Sequence, residues 1–356
     1  MTSSNEFNIN ANSFGEITPE ALDLAEKHVS DILTLCVEHS ASNQKALVIY
    51  DKQSDLAQAL TVAYRRCLPE AEFINFDEAS QENILDAFSN LLPSDLVVLI
   101  QSTSFRLDKY RIRVTLFNKS IKVIEHPHLF RNVGKEALYY IESLAYDSDY
   151  YRGVGRALQT RIDQSKSIVL ESGGEQLTFN AGFEPTKLNV GDYTEMRNVG
   201  GQFPIGEVFT ESKDLESVNG RARIFAFGDM KYSVAKPEKQ ITLVVKDGRV
   251  IEAIDSTAEF DEVLSNIRMV EGEVWLRELG FGLNRSFTRD RIVSDIGTYE
   301  RMCGIHLSLG AKHNVYKKPN FKFDNKTAKY HVDVFVDTQA VLLDGENIYK
   351  DDSWCI

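Results

Sequence analysis

The chain has 356 residues, 43% of them hydrophobic and 26% charged, and a formal net charge of −13. That length exceeds one small core and suits two domains of ordinary size that fold without disulfide staples. The acidic balance, with no basic run interleaved with aromatics to offset it, excludes nucleic acid as a partner, and no apolar run reaches the length needed to span a bilayer.

Residues 1–18 are polar and rich in Asn and Ser, and they read as a flexible N-terminal arm without the basic start and apolar centre of a secretory signal. Cys36, Cys67, Cys303 and Cys355 are scattered, with no Cys-X-X-Cys pair, so the expectation is reduced thiols in a cytoplasmic protein.

Over residues 19–165 the pattern alternates between strand and helix. Leu22, Ala25, Val29, Ile32, Leu33 and Cys36 recur at helical spacing behind Thr18-Pro19, a suitable N-cap and first-turn pair. Apolar strands are expected at 46–50, 72–76, 96–100 and 121–124, with helices at 56–67, 83–92 and 107–118 between them. Such alternation implies an α/β domain, a parallel sheet with flanking helices. No Gly-X-Gly-X-X-Gly follows the first strand, where Tyr50-Asp51-Lys52-Gln53 stands instead, so this domain is a scaffold rather than a dinucleotide site. His126-Pro127-His128 reads as a loop turning at Pro127 with surface or capping histidines, and Gly153-Val154-Gly155 as the start of a helix ending near Ser165.

Beyond about residue 165 the pattern changes to short strands separated by turn signals such as Ser172-Gly173-Gly174 and Asp247-Gly248, with a helix near 257–268. Residues 166–356 are therefore expected to form a β-rich α+β domain. Here lie the residues with chemistry. In 304–310 and 330–336, His306 alternates with Ser308, and His331 with Asp333, so a pleated strand projects each pair from one face. An ionised Asp333 amid Val332, Val334, Phe335 and Val336 is costly to bury without a cation or strong hydrogen bonds. Two readings stand: a bound metal, or a core histidine hydrogen-bonded to its neighbouring aspartate. Glu207 sits in a Gly- and Pro-dense segment and Glu278 in an apolar one; each is alternatively a turn residue or an ion-pair partner of an arginine. Taken jointly with His306, His331 and Asp333 they supply what a two-metal hydrolase requires if one carboxylate bridges.

These residues resemble a known family, the two-metal aminopeptidases of the aminopeptidase T and aminopeptidase S type. Pro204-Ile205-Gly206-Glu207-Val208-Phe209-Thr210 is similar to the family's Pro-X-X-Glu-Val-Phe-Thr, Gly304-Ile305-His306-Leu307-Ser308-Leu309-Gly310 to its His-Ile-Ala-Leu-Gly segment, and His331-Val332-Asp333 to its closing His-X-Asp. The resemblance implies Glu207, Glu278, His306, His331 and Asp333 as ligands of two divalent ions (zinc, cobalt or manganese), a small peptide or amide substrate, and a homodimer. Where the peptidases carry a tyrosine thought to assist hydrolysis, this chain has His313, with Tyr316 following, so His313, Tyr316 and Glu278 are the catalytic candidates. The family also includes 2,5-dihydroxypyridine dioxygenases, which implies an alternative: one Fe(II) held by His306, His331 and Asp333, with the glutamates in supporting roles. A further alternative is a non-catalytic accessory protein that keeps the fold.

Overall fold

The computed structural model describes residues 13–108, 110–194, 196–313, 315–318 and 328–356. It divides into two compact units, Met1–Ser148 with Gly191–Ile205, and Asp149–Val190 with Gly206–Ile356. Residues 1–12 of the expected N-terminal arm lie outside the described residues.

In the first unit five parallel strands are ordered Glu72–Asn75, Ala46–Tyr50, Leu96–Ile100, Lys122–His126 and Gly200–Gln202. Leu96–Ile100 is buried along its whole length, as a central strand covered on both faces must be. Its first three α-helices begin where short polar side chains cap them: Thr18, Ser54 and Ser80 accept the amide hydrogens of Ala21, Ala57 and Asn83. The helix expected at 107–118 is shorter, Ile112–Asn118. The last strand was not foreseen, because Gly200 and Gly201 carry no strand pattern. Gly200 has φ +95°, and a Cβ there would lie 1.9 Å from the Val123 carbonyl oxygen, so only glycine lets this segment come against Lys122–His126.

His126 corrects the loop expectation, since it ends a strand and is fully buried. Tyr140 gives its hydroxyl proton to the Phe203 carbonyl (3.0 Å), so it accepts from His126 Nδ1 (2.9 Å), which leaves Nε2 to accept from the Tyr64 hydroxyl at 2.8 Å. Burial without a counter-charge pushes the imidazole down to about 3, from an ordinary 6.5. A depressed folded value means that the unfolded chain takes up the proton first, so this residue's contribution is intact above about pH 6.5 and is lost progressively towards pH 3. The expected cost between pH 7 and pH 4 is on the order of 3 kcal/mol. Urea unfolding at the two pH values should show it, and His126→Gln, though less stable at pH 7, should show a shallower acid loss.

The second unit is built on a mainly antiparallel sheet of 14 strands. Its central run pairs Asn219–Gly228, Val332–Val336, Gly304–Leu309, Leu276–Gly282 and Glu207–Glu211 in that order. Its two long helices are Ser148–Gln164 and Ala258–Glu271; Thr257 caps the second by accepting from Phe260. Gly153 and Gly155 fall inside the first of these helices and do not start it. Gly155 is required by packing, because a Cβ there would meet the Val190 side chain at 2.8 Å. Among the described residues no helix is long and apolar enough to cross a membrane.

Candidate metal centre

Strand register assembles the centre. Glu207 pairs with Gly282, Phe209 with Gly280 and Glu211 with Glu278; Gly280 pairs in turn with His306, and Ser308 with Asp333. Alternation along each strand then places Glu207, Glu211, Glu278, His306 and Asp333 on one face of four neighbouring strands. Gly280 keeps that face open, since a Cβ there would lie 2.0 Å from His306 Nε2. His331 stands one residue before the strand Val332–Val336, yet its Nε2 reaches Asp333 Oδ1 at 3.2 Å.

Two sets of potential ligand atoms lie within 4.8 Å of one another among the described residues: Glu207, Glu278 and His306, and Glu278, His331 and Asp333. Glu278 belongs to both. The set His306, His331 and Asp333 expected of a single-iron centre is not among them. His306 Nε2 lies 3.3 Å from Glu207 Oε1 and 3.4 Å from Glu278 Oε1, and this atom and Asp333 Oδ1 are buried without a hydrogen-bond partner. Buried donor atoms left unsatisfied in this way, among oxygen and imidazole nitrogen, fit a divalent cation.

The electrostatics agree. Burial opposes charge on Glu278, but the facing imidazoles of His306 and His313 outweigh it and hold the carboxyl well below its usual range. Burial likewise opposes the charged form of each histidine and is overcome: Glu207 and Glu278 raise His306, Glu211 and Glu278 raise His313, and Asp333 lifts His331 to about 10. The carboxylates thus draw protons onto all three imidazoles, and a divalent cation would supply the same compensation while displacing those protons from its ligands. Cation affinity is therefore expected to rise with pH up to about 10, where His331 gives up its proton, with protons released on binding. Calorimetry in buffers of different ionisation enthalpy measures that release; a pH-independent affinity would contradict it.

Around this face is a layer that the sequence did not announce. Glu211 is fully buried; Arg277 Nε donates to its Oε1, and its Oε2 lies 3.7 Å from both His313 Nδ1 and Lys318 Nζ. His313 Nε2 meets Glu278 Oε2 at 2.8 Å, so His313 stands between two carboxylates. Arg301, 4% exposed, is 2.7 Å from Glu207 Oε2 and also pairs with Glu300, whose carboxyl burial pushes up to about 8. The Glu278 amide donates to Ser308 Oγ at 3.0 Å, which fixes the strand beneath the carboxylate. Tyr316, a catalytic candidate from sequence, has its hydroxyl committed to the Pro185 carbonyl (2.8 Å) and lays its ring 5.3 Å from that of His313. It walls the histidine, and burial together with the Glu278 and Glu211 charges pushes its phenol up.

No protein-family model matches the sequence, and no curated protein matches it. Solved structures do. The 2,5-dihydroxypyridine dioxygenase from Pseudomonas putida KT2440 is similar with a TM-score of 0.61 at 14% identity, over 94% of this chain and 97% of that chain. Wild-type AmpT from Thermus thermophilus is similar with a TM-score of 0.53 at 14% identity, over 94% of this chain and 99% of that chain. The chain has the fold of these two proteins. Both are among those that the motif resemblance named, and the likeness covers both units. At this identity the fold is shared and the chemistry is a separate question.

Proposed function

We propose that the protein is a metal-dependent hydrolase of the aminopeptidase type, acting on a short peptide or related amide. The observation that carries this reading is the place of Glu278 in both ligand sets, because a carboxylate common to two sets is what keeps two like-charged ions together. Glu207 and His306 would hold one ion, His331 and Asp333 the other, with Glu278 between them. Two divalent ions there would polarise a scissile carbonyl and bring the acidity of a water molecule near neutrality.

The chain's own residues supply the rest. The proton on the 2.8 Å line between His313 Nε2 and Glu278 Oε2 is placed for transfer to a leaving amine, and Glu211, bearing on Nδ1, favours the imidazole orientation that keeps Nε2 on the reacting side. His313 therefore takes the role that the resembling peptidases give to a tyrosine. The burial of Glu207, Glu278 and His306 keeps bulk water from competing for their charges.

One observation favours a single-iron dioxygenase instead: Arg301 already neutralises Glu207, which lessens the need for a second ion. That reading lacks a compact set of His306, His331 and Asp333. The deciding experiment incubates chelator-treated protein, reloaded with zinc, cobalt or manganese, with a panel of aminoacyl p-nitroanilides and dipeptides. Chelator-sensitive release of the N-terminal residue supports the proposal; no release, with iron-dependent oxygen uptake on a dihydroxylated aromatic, supports the alternative. The motif resemblance also supports a homodimer, which sedimentation at micromolar concentration tests.

A further inference from the structure

We infer that Arg301 makes the two cation positions unequal: the position bounded by Glu278, His331 and Asp333 fills first and tightly, and the one bounded by Glu207, Glu278 and His306 binds weakly and exchanges. This rests on the two-cation reading above.

The two positions share Glu278 and differ in what surrounds their own ligands. Asp333 brings a full carboxylate charge to its side, and among the described residues no arginine or lysine pairs with it. Glu207 brings a carboxylate whose Oε2 is 2.7 Å from the Arg301 guanidinium, so only Oε1, the oxygen facing His306, remains for an ion. Arg301 is held in place: it is 4% exposed, its carbonyl accepts from Asn284 N at 2.8 Å, and its Nη1 also donates to Glu300, which fixes the guanidinium against Glu207. A fixed cation next to a ligand acts twice. It draws electron density from the carboxylate and repels the incoming ion through a medium that screens poorly. Arginine keeps its charge at every accessible pH, so the Glu207 side carries a cation that the Asp333 side lacks. A chain built in this way retains one structural ion and gates its second by the free concentration of metal.

The test is a titration of chelator-stripped protein with cobalt(II), followed by calorimetry and by visible d–d absorption. The wild type should show two steps separated by at least about tenfold in affinity, the size of effect expected when a neighbour of a metal ligand is changed. Glu207→Gln should keep the tight step and lose the weak one, and Asp333→Asn should lose the tight one. Arg301→Gln preserves a donor to Glu207 without the charge and should strengthen the weak step by about ten- to a hundredfold, whereas Arg301→Lys should leave the gap in place. Two equal steps in the wild type, or an unchanged weak step in Arg301→Gln, would overturn the role of Arg301 while leaving two-ion binding intact. A single step, or none, would defeat the two-cation reading itself. Should Arg301→Gln fail to fold, the wild-type steps and their assignment by Glu207→Gln and Asp333→Asn still decide the matter.

Discussion

Replacing Glu278 by Gln is expected to reduce bound metal to at most one ion per chain and to abolish hydrolysis, with the fold retained. Glu278 is the residue common to both ligand sets, and its Oε2 also meets His313 Nε2 at 2.8 Å, so the amide would remove the bridging charge and the proton relay together. Two divalent ions about 4 Å apart repel by on the order of 15 kcal/mol even at an effective dielectric of about 20, and without a negative bridge the weaker ion leaves. Glutamine conserves volume, and the Ser308 contact is made by the residue 278 backbone amide, so circular dichroism should change little while the melting temperature falls with the lost ion. Metal analysis and turnover on aminoacyl p-nitroanilides check it. Full metal content with turnover intact would remove Glu278 from the centre.

The largest effect on stability is expected at Arg277. Its side chain is 2% exposed and pairs with Glu211, 0% exposed, while Nη1 holds the Ala311 carbonyl at 2.7 Å. Arg277→Met leaves the Glu211 carboxylate buried with Lys318 and His313 no nearer than 3.7 Å and takes a donor from the Ala311 carbonyl; breaking a buried pair from one side typically costs about 3–5 kcal/mol. Removing both charges, as in Arg277→Met with Glu211→Gln, should recover a good part of that, because the cost lies mostly in the uncompensated charge. Urea unfolding of the wild type, both single variants and the double variant measures the coupling. Strict additivity would show that the two side chains do not act as a pair.

What was legible in the sequence was whatever obeys a short period. His306 and Ser308, like His331 and Asp333, lie two apart in apolar surroundings, and that alternation alone predicted a shared face; the structure adds that Ser308 pairs with Asp333 across neighbouring strands. The strands at Ala46–Tyr50 and Leu96–Ile100 and the helix at Asp55–Cys67 were legible for the same reason. Glu211 was not. It shares a face with Glu207 by simple alternation, a signal available in the sequence, but its meaning depends on lying opposite Glu278, and register is a long-range property. Arg301 gave no local sign either, because an arginine after a short helix is ordinary until Glu207 is found 2.7 Å away. The division between the units escaped a linear reading as well: Gly191–Ile205 returns to the first unit because glycines let it join the parallel sheet, and the helix Ser148–Gln164, apart from its first residue, groups with the second unit.

The central claim, two cations sharing Glu278, is tested most directly by crystals grown with cobalt(II) and measured on either side of the cobalt absorption edge. The account predicts two anomalous peaks per chain with Glu278 between them, one against Glu207 and His306 and the other against His331 and Asp333. A single peak ligated by His306, His331 and Asp333, with both glutamates turned away from it, would contradict it.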